Sequence, residues 1–229
     1  MKNVILKSFP KDVVILIDLA IKYAARESYR ATEEERKSGL DNGFHRLFWS
    51  KFYTKLNTFL ESYPYSSGFW RYVSCYLEEL NSIVTFIGRK KFDDIQNNPN
   101  KRNSIYQEAH IYFNKDLDIQ GTIFDDTDYN KISDYHNRLK RKFDNINIKN
   151  HILISLEYSN GNTSFLSAYI LAPNSIIIEE LNLLDYIQPD MDDTEDDTVP
   201  KEPLPVVTDH RPIVSIDSKY KNISKGNKD

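Results

Sequence analysis

The run “HILISLEYSNGNTSFLSAYIL” at 151–171 sets an Asn-Gly pair between two strings of apolar and alternating character. Asn160 and Gly161 both accept positive φ, as a type I′ turn demands, and that turn matches the twist of the strands it joins. The stretch predicts an antiparallel hairpin. Pro173-Asn174 turns the chain again, and “SIIIEEL” extends the unit to a meander over 151–187. A second period of two lies upstream. Val73, Cys75 and Leu77 alternate with Tyr72, Ser74 and Tyr76 before a polar turn at Glu78-Glu79. Val84 and Phe86 then alternate with Ile83, Thr85 and Ile87, so this too reads as a hairpin.

Between and before these units the period changes. Apolar residues at 13, 14, 16, 17, 20, 21 and 24 predict a largely buried helix over 11–30. Phe44, Leu47, Phe48, Phe52, Leu56, Phe59, Leu60 and Tyr63 recur at steps of three and four, which predicts a second helix over about 42–62, ended by Pro64. Helical pattern returns at 89–97, at 103–117 and at about 128–144. The expectation is an α+β fold: an antiparallel sheet of about five strands in two hairpin units, with about five helices packed mainly on one face.

One domain is expected over 1–188: N-terminal helices in 11–63, a hairpin and helix in 69–97, helices in 103–144 and the meander in 151–187. From residue 189 the character shifts to “DMDDTEDD”, “VPKEPLP” and “SKYKNISKGNKD”. So little apolar area cannot offset the entropy of ordering, so 189–229 reads as a disordered, acidic, proline-containing tail. It is either an inert solubilising extension or a partner-binding segment. In the second case Pro203 and Pro205 suit polyproline docking, and Ile213, Val214 and Ile216 suit strand addition.

Charge sharpens this division. Residues 190–229 hold ten acidic and six basic side chains, so the preceding chain is balanced at 24 of each. A uniformly basic nucleic-acid binder is excluded, and a local basic patch is not. One cysteine, Cys75, rules out an internal disulfide and fits a reducing cytoplasm. No run approaches the roughly 18 apolar residues of a membrane span, so no membrane partner is expected.

Catalytic spacings are missing. With seven glycines the chain has no Gly-x-x-x-x-Gly-Lys-Ser/Thr and no Gly-x-Gly-x-x-Gly, and it lacks Gly-x-Ser-x-Gly and His-Glu-x-x-His. None of its histidines has a partner at metal-ligand spacing, so no metal and no cofactor are expected. “FDDTDYN” lacks the glycine and the glutamate of a calcium loop, and Asp126 and Asp128 suit a helix start instead. Glu157 lies on a strand but lacks the lysine that a metal-dependent nuclease core would place after it. Nothing near Cys75 in sequence would lower its pKa, which makes it a core thiol. His110 and His136 fall on separate helices, and only a three-dimensional meeting with Asp125 or Asp126 would make them a site.

The basic residues are more informative. Arg138, Lys140, Arg141 and Lys142 end a helix, where the dipole favours cations. Arg89, Lys90 and Lys91 begin one, where it disfavours them. Lys101 and Arg102 follow, and Trp70 and Tyr72 offer stacking surfaces nearby. The cluster is either a solvated face or an anion-recognition surface.

“GFWRYVSCYLEELNSIVTFIGRKKFDDIQ” resembles the central motif of an uncharacterised bacterial and phage-associated family, in which a tryptophan helix precedes a tryptophan strand. Trp49 and Trp70 match those tryptophans. Phe86, Lys90, Lys91 and Phe92 match the motif's end, whereas Ile87, Gly88 and Arg89 depart from it. Asp185, Tyr186 and Ile187 match the close of the family's later strands. The resemblance covers about 44–187 and implies a bacterial or mobile-element setting, with no activity to carry over.

The leading expectation is a non-enzymatic intracellular interaction or regulatory protein with a protein partner, in a phage-defence, counter-defence or toxin–antitoxin setting. The alternative is a nucleic-acid-binding or nuclease-like protein using Arg89, Lys90, Lys91, Lys101 and Arg102 with Trp70 and Tyr72.

Overall fold

The structure is a computed structural model that describes residues 5–37, 43–67, 70–98, 104–117, 126–143, 146–159 and 162–187. These residues fall in one compact unit, Met1–Asp190; the other unit, Met191–Asp229, lies outside the described residues. The helices are α1 (Lys11–Ala31), α2 (Glu33–Lys37), α3 (Phe44–Leu56), α4 (Arg89–Asn97), α5 (Ile105–Ile111) and α6 (Asp126–Lys142). The strands are β1 (Ser62–Ser67), β2 (Trp70–Leu77), β3 (Ser82–Gly88), β4 (Asn150–Ser159), β5 (Asn162–Ala172) and β6 (Ile176–Asn182). The fold is α+β. The five helices read from periodicity are present, with the short α2 added, and no helix among the described residues is long and apolar enough to cross a membrane.

The strands form one six-stranded sheet in chain order. Three features differ from the sequence reading. First, β1 is a strand that helical spacing obscured. Phe59, Leu60 and Tyr63 continue the three-and-four steps of α3, but the helix ends at Leu56 and turns lead into β1. Pro64 sits within that strand rather than ending a helix; an edge strand tolerates proline because its outer side needs no N–H donor.

Second, the sheet is mixed. β3 and β4 pair in parallel from Ser82↔Asn150 to Gly88↔Leu156, and all other neighbours are antiparallel. A parallel pair needs a long crossover, and the chain from α4 through α6 supplies it.

Third, helices cover both faces rather than mainly one. On one face Val14, Ile17 and Ile21 of α1 and Phe48, Phe52 and Leu56 of α3 pack on Val84, Phe86, Ile152, Ile154 and Leu166. On the other, Phe92 and Ile95 of α4 and Ile111 of α5 pack on Ile87, Leu153, Tyr169 and Leu171. Tyr106, Ile132, Leu139 and Phe143 extend that layer over Ile83 and Tyr65. The reason is legible in the strands: Ile83, Thr85 and Ile87 are no polar face, and β3 is buried from Ser82 to Ile87. Continuous apolar runs of this kind belong to strands covered on both sides.

Candidate functional site

β2 and β3 part company early. Their pairing spans Cys75↔Val84, Tyr76↔Ile83 and Leu77↔Ser82, whereas β2 runs back to Trp70 and β3 on to Gly88. Between the splayed halves lies a crevice of about 600 Å³ at the carboxyl end of β3, floored by Phe86, Ile87 and Gly88.

Each wall has a local cause. Phe44, Phe48, Phe52 and Leu56 recur every fourth residue and fasten α3 to the sheet. The adjacent row, Trp49 and Tyr53, therefore leans over the crevice, with Arg46 at its mouth. Trp49 packs edge-on against Phe48 and Phe52, and a β-carbon added to Gly88 would meet its Cζ2 at 3.8 Å. Across the opening Tyr72 of β2 stacks on Tyr106, with centroids 4.7 Å apart and planes at 21°. Gln107 of α5 completes this side, only 7% exposed. Ser104 caps α5 by accepting from the Gln107 N–H. Burial pushes the phenols of Tyr53 and Tyr72 up, so both stay protonated.

The electrostatics at the mouth are positive. α4 begins at Gly88 without a side-chain cap, and its first turn carries Arg89, Lys90 and Lys91 against the positive end of the helix dipole. Lys90 and Lys91 line the crevice with Arg46, His45 and Asp94. Among the described residues Arg46, Lys90 and Lys91 form no ion pair. A further hollow of about 710 Å³ shares Arg46, Trp49, Tyr53 and Tyr72 and continues past Thr54, Asn57 and Ser62. The arrangement offers aromatic faces below a cationic mouth, with hydroxyl and amide groups beyond.

Of the residues singled out from sequence, Lys90, Lys91 and Tyr72 meet here. Arg89 turns elsewhere: it reaches Glu157 at 3.2 Å and Asp93 at 3.5 Å, and lies 4.3 Å over the Phe165 ring. Trp70 lies on β2, but its side chain is outside the described residues, as are Lys101, Arg102 and Asp125. The tail positions Pro203, Pro205, Ile213, Val214 and Ile216 are outside them too.

Among the described residues His110, His136 and His151 are hydrogen-bonded to no aspartate; Asp125 and the Asp126 side chain, the acids expected from the sequence, lie outside them. His110 is fully buried, with Nε2 2.9 Å from Ser74 Oγ and Nδ1 donating to the Tyr106 carbonyl. His136 donates to the Ala109 carbonyl, and His151 Nε2 lies 2.7 Å from Thr85 Oγ1. Burial lowers all three, His110 to about 4. Burial likewise pushes the Cys75 thiol up to about 12, as befits a core residue. Among the described residues no three His, Cys, Asp or Glu are grouped to hold a metal ion.

Arg46, Tyr53 and Gln107 escaped the sequence reading, and Trp49 entered only through the family resemblance. A signal was present on α3: Trp49 and Tyr53 repeat one residue behind the core phenylalanines, forming an aromatic row too wide for the core alone. Gln107 gave no such signal, since the crevice joins it to residues distant in sequence. No curated protein and no solved structure matches this chain. Residues 6–229 match the sequence pattern of a family of unknown function, DUF5986, and the chain belongs to that family.

Proposed function

We propose that this chain is a non-enzymatic binding protein that takes single-stranded nucleic acid in the β2–β3 crevice, in the bacterial or phage-associated setting that the family resemblance implies. One observation carries the reading: Arg46, Lys90 and Lys91 meet Trp49, Tyr53 and Tyr72 around one opening. Single strands expose base faces that stack on aromatic rings, while cations follow the phosphates. A duplex hides those faces. A binding rather than a catalytic role is supported by His110, His136 and His151, whose rings are buried against hydroxyls and backbone carbonyls.

Fluorescence anisotropy with a labelled oligonucleotide tests this. Three phosphate contacts predict binding that weakens with salt at a logarithmic slope of about −2. Absent binding at ~50 mM salt, or binding flat in salt, overturns the proposal.

A second reading, an interaction or regulatory protein with a protein partner, is favoured by the outer face of α1. Ile15, Leu19 and Tyr29 are exposed there beside Arg26 and Lys55. The tail would contribute through Pro203, Pro205 and the 213–216 segment. A partner whose binding is unaffected by Leu19→Lys and by removal of residues 190–229 would speak against it.

A further inference from the structure

Gln107 is placed unusually for a glutamine. Ser104-x-x-Gln107 is a capping-box pattern, in which the glutamine amide reaches back to the N–H of the cap residue. The Ser104 half of that pattern is present. The Gln107 amide makes no hydrogen bond among the described residues, although the residue as a whole is only 7% exposed. It lines the crevice instead. Its amide is absent from the buried polar atoms that lack a partner, so it is open to water inside the crevice and free to exchange that water for a ligand. A ligand group that replaces this water in the crevice shared with Trp49 and Tyr72 pairs best when it presents a donor beside an acceptor.

Resting on the nucleic-acid reading above, we infer that Gln107 is the specificity-determining residue of the crevice, and that it selects an adenine whose phosphate sits at the first turn of α4. An amide carries one acceptor and two donors, and pairs bidentately with adenine through N6 and N7. Adenine offers that donor–acceptor pattern on two edges and has the larger stacking face of a purine. Two features put the phosphate at α4. That helix starts at Gly88 without a side-chain cap, and Lys90 and Lys91 of its first turn line the same crevice as Gln107. The base and its phosphate would thus meet different lining residues of one cavity: a neutral amide on α5 and cations on α4.

The experiment compares oligo(dA), oligo(dC) and oligo(dT) of about 12 nucleotides on the full chain. Wild type should bind oligo(dA) about tenfold or more tightly than the other two, the worth of one bidentate pair. Gln107→Leu, similar in size and able to stay in the aromatic wall, should erase that preference and leave the salt slope unchanged. Lys90→Ala with Lys91→Ala, both exposed, should weaken all three alike and reduce the slope from about −2 to about −0.7. Gly88→Ala, whose β-carbon meets Trp49 at an ordinary 3.8 Å, adds a methyl to the floor without disturbing the fold and should weaken every oligonucleotide. Equal binding of the three oligonucleotides, or an oligo(dA) preference that survives Gln107→Leu, overturns the inference while leaving the nucleic-acid reading in place. Failure of all three to bind overturns both.

Discussion

His110 and His151 bury whole imidazoles against hydroxyls, with no carboxylate among the described residues hydrogen-bonded to either ring. In the folded chain they are neutral, His110 down to about 4 and His151 well below its ordinary value, because burial disfavours the charged ring. His136 is lowered in the same direction, by burial first and then by Lys140 and Lys115. The unfolded chain takes up these protons near pH 6.5 while the folded chain refuses them, so acid draws the equilibrium toward unfolding. Stability should be flat above about pH 7 and fall as pH drops from about 6.5 toward about 4, by about 1.4 kcal/mol per unit for each histidine that stays neutral. Urea midpoints across that range measure it. His110→Gln cannot titrate and should remove one histidine's share of the slope. A midpoint constant down to about pH 5 would show that these rings do protonate in place. Nothing around these residues in sequence separates a core histidine from a catalytic one; their burial and their hydroxyl partners do, and those are three-dimensional facts.

Asn114 shows how single elements are locked to the sheet. The β4–β5 ladder begins at Leu153↔Tyr169, and two positions outward in the same register His151 would face Leu171. The Asn114 side chain, on the 3-10 turn after α5, takes that place. It donates to the carbonyls of His151 and Leu171 at 2.8 Å and accepts from the His151 N–H at 2.7 Å. Asn114→Ala would orphan two carbonyls and one N–H in the interior, so unfolding free energy should drop by about 3 kcal/mol or more. A loss under about 1 kcal/mol in chemical denaturation would mean that water replaces the amide. Local spacing was enough for the helix cores of α1 and α4 and for the turn-bounded strands β4, β5 and β6, since their periods and breakers lie within a few residues. It failed at β1, where Phe59, Leu60 and Tyr63 happen to continue the helical steps of α3. It also missed the parallel pairing of β3 with β4, which depends on a crossover rather than on either strand. Lys90, Lys91 and Tyr72 were legible as a basic and aromatic cluster, whereas Gln107 joins them only because the sheet opens.

That opening is a property of the whole sheet. Helical layers on both faces shield β3 and β4, so their backbone hydrogen bonds should open only with the entire fold, except where pairing itself stops. β4 is paired on both sides from Leu153 to Leu156, against β3 and β5. β3 is paired on both sides only from Ser82 to Val84; from Thr85 to Gly88 it keeps β4 and has lost β2. Successive amides along a strand point to opposite edges, so alternate N–H groups in Thr85–Gly88 face the crevice. Hydrogen exchange resolved by residue should therefore show unbroken protection across Leu153–Leu156 and an alternating pattern across Thr85–Gly88. The fast amides should slow when an oligonucleotide fills the crevice. Uniform slow exchange along all of β3 would mean that the two strands stay zipped in solution. The crevice would then be shut, and the aromatic and cationic side chains around it would have no common ligand to hold.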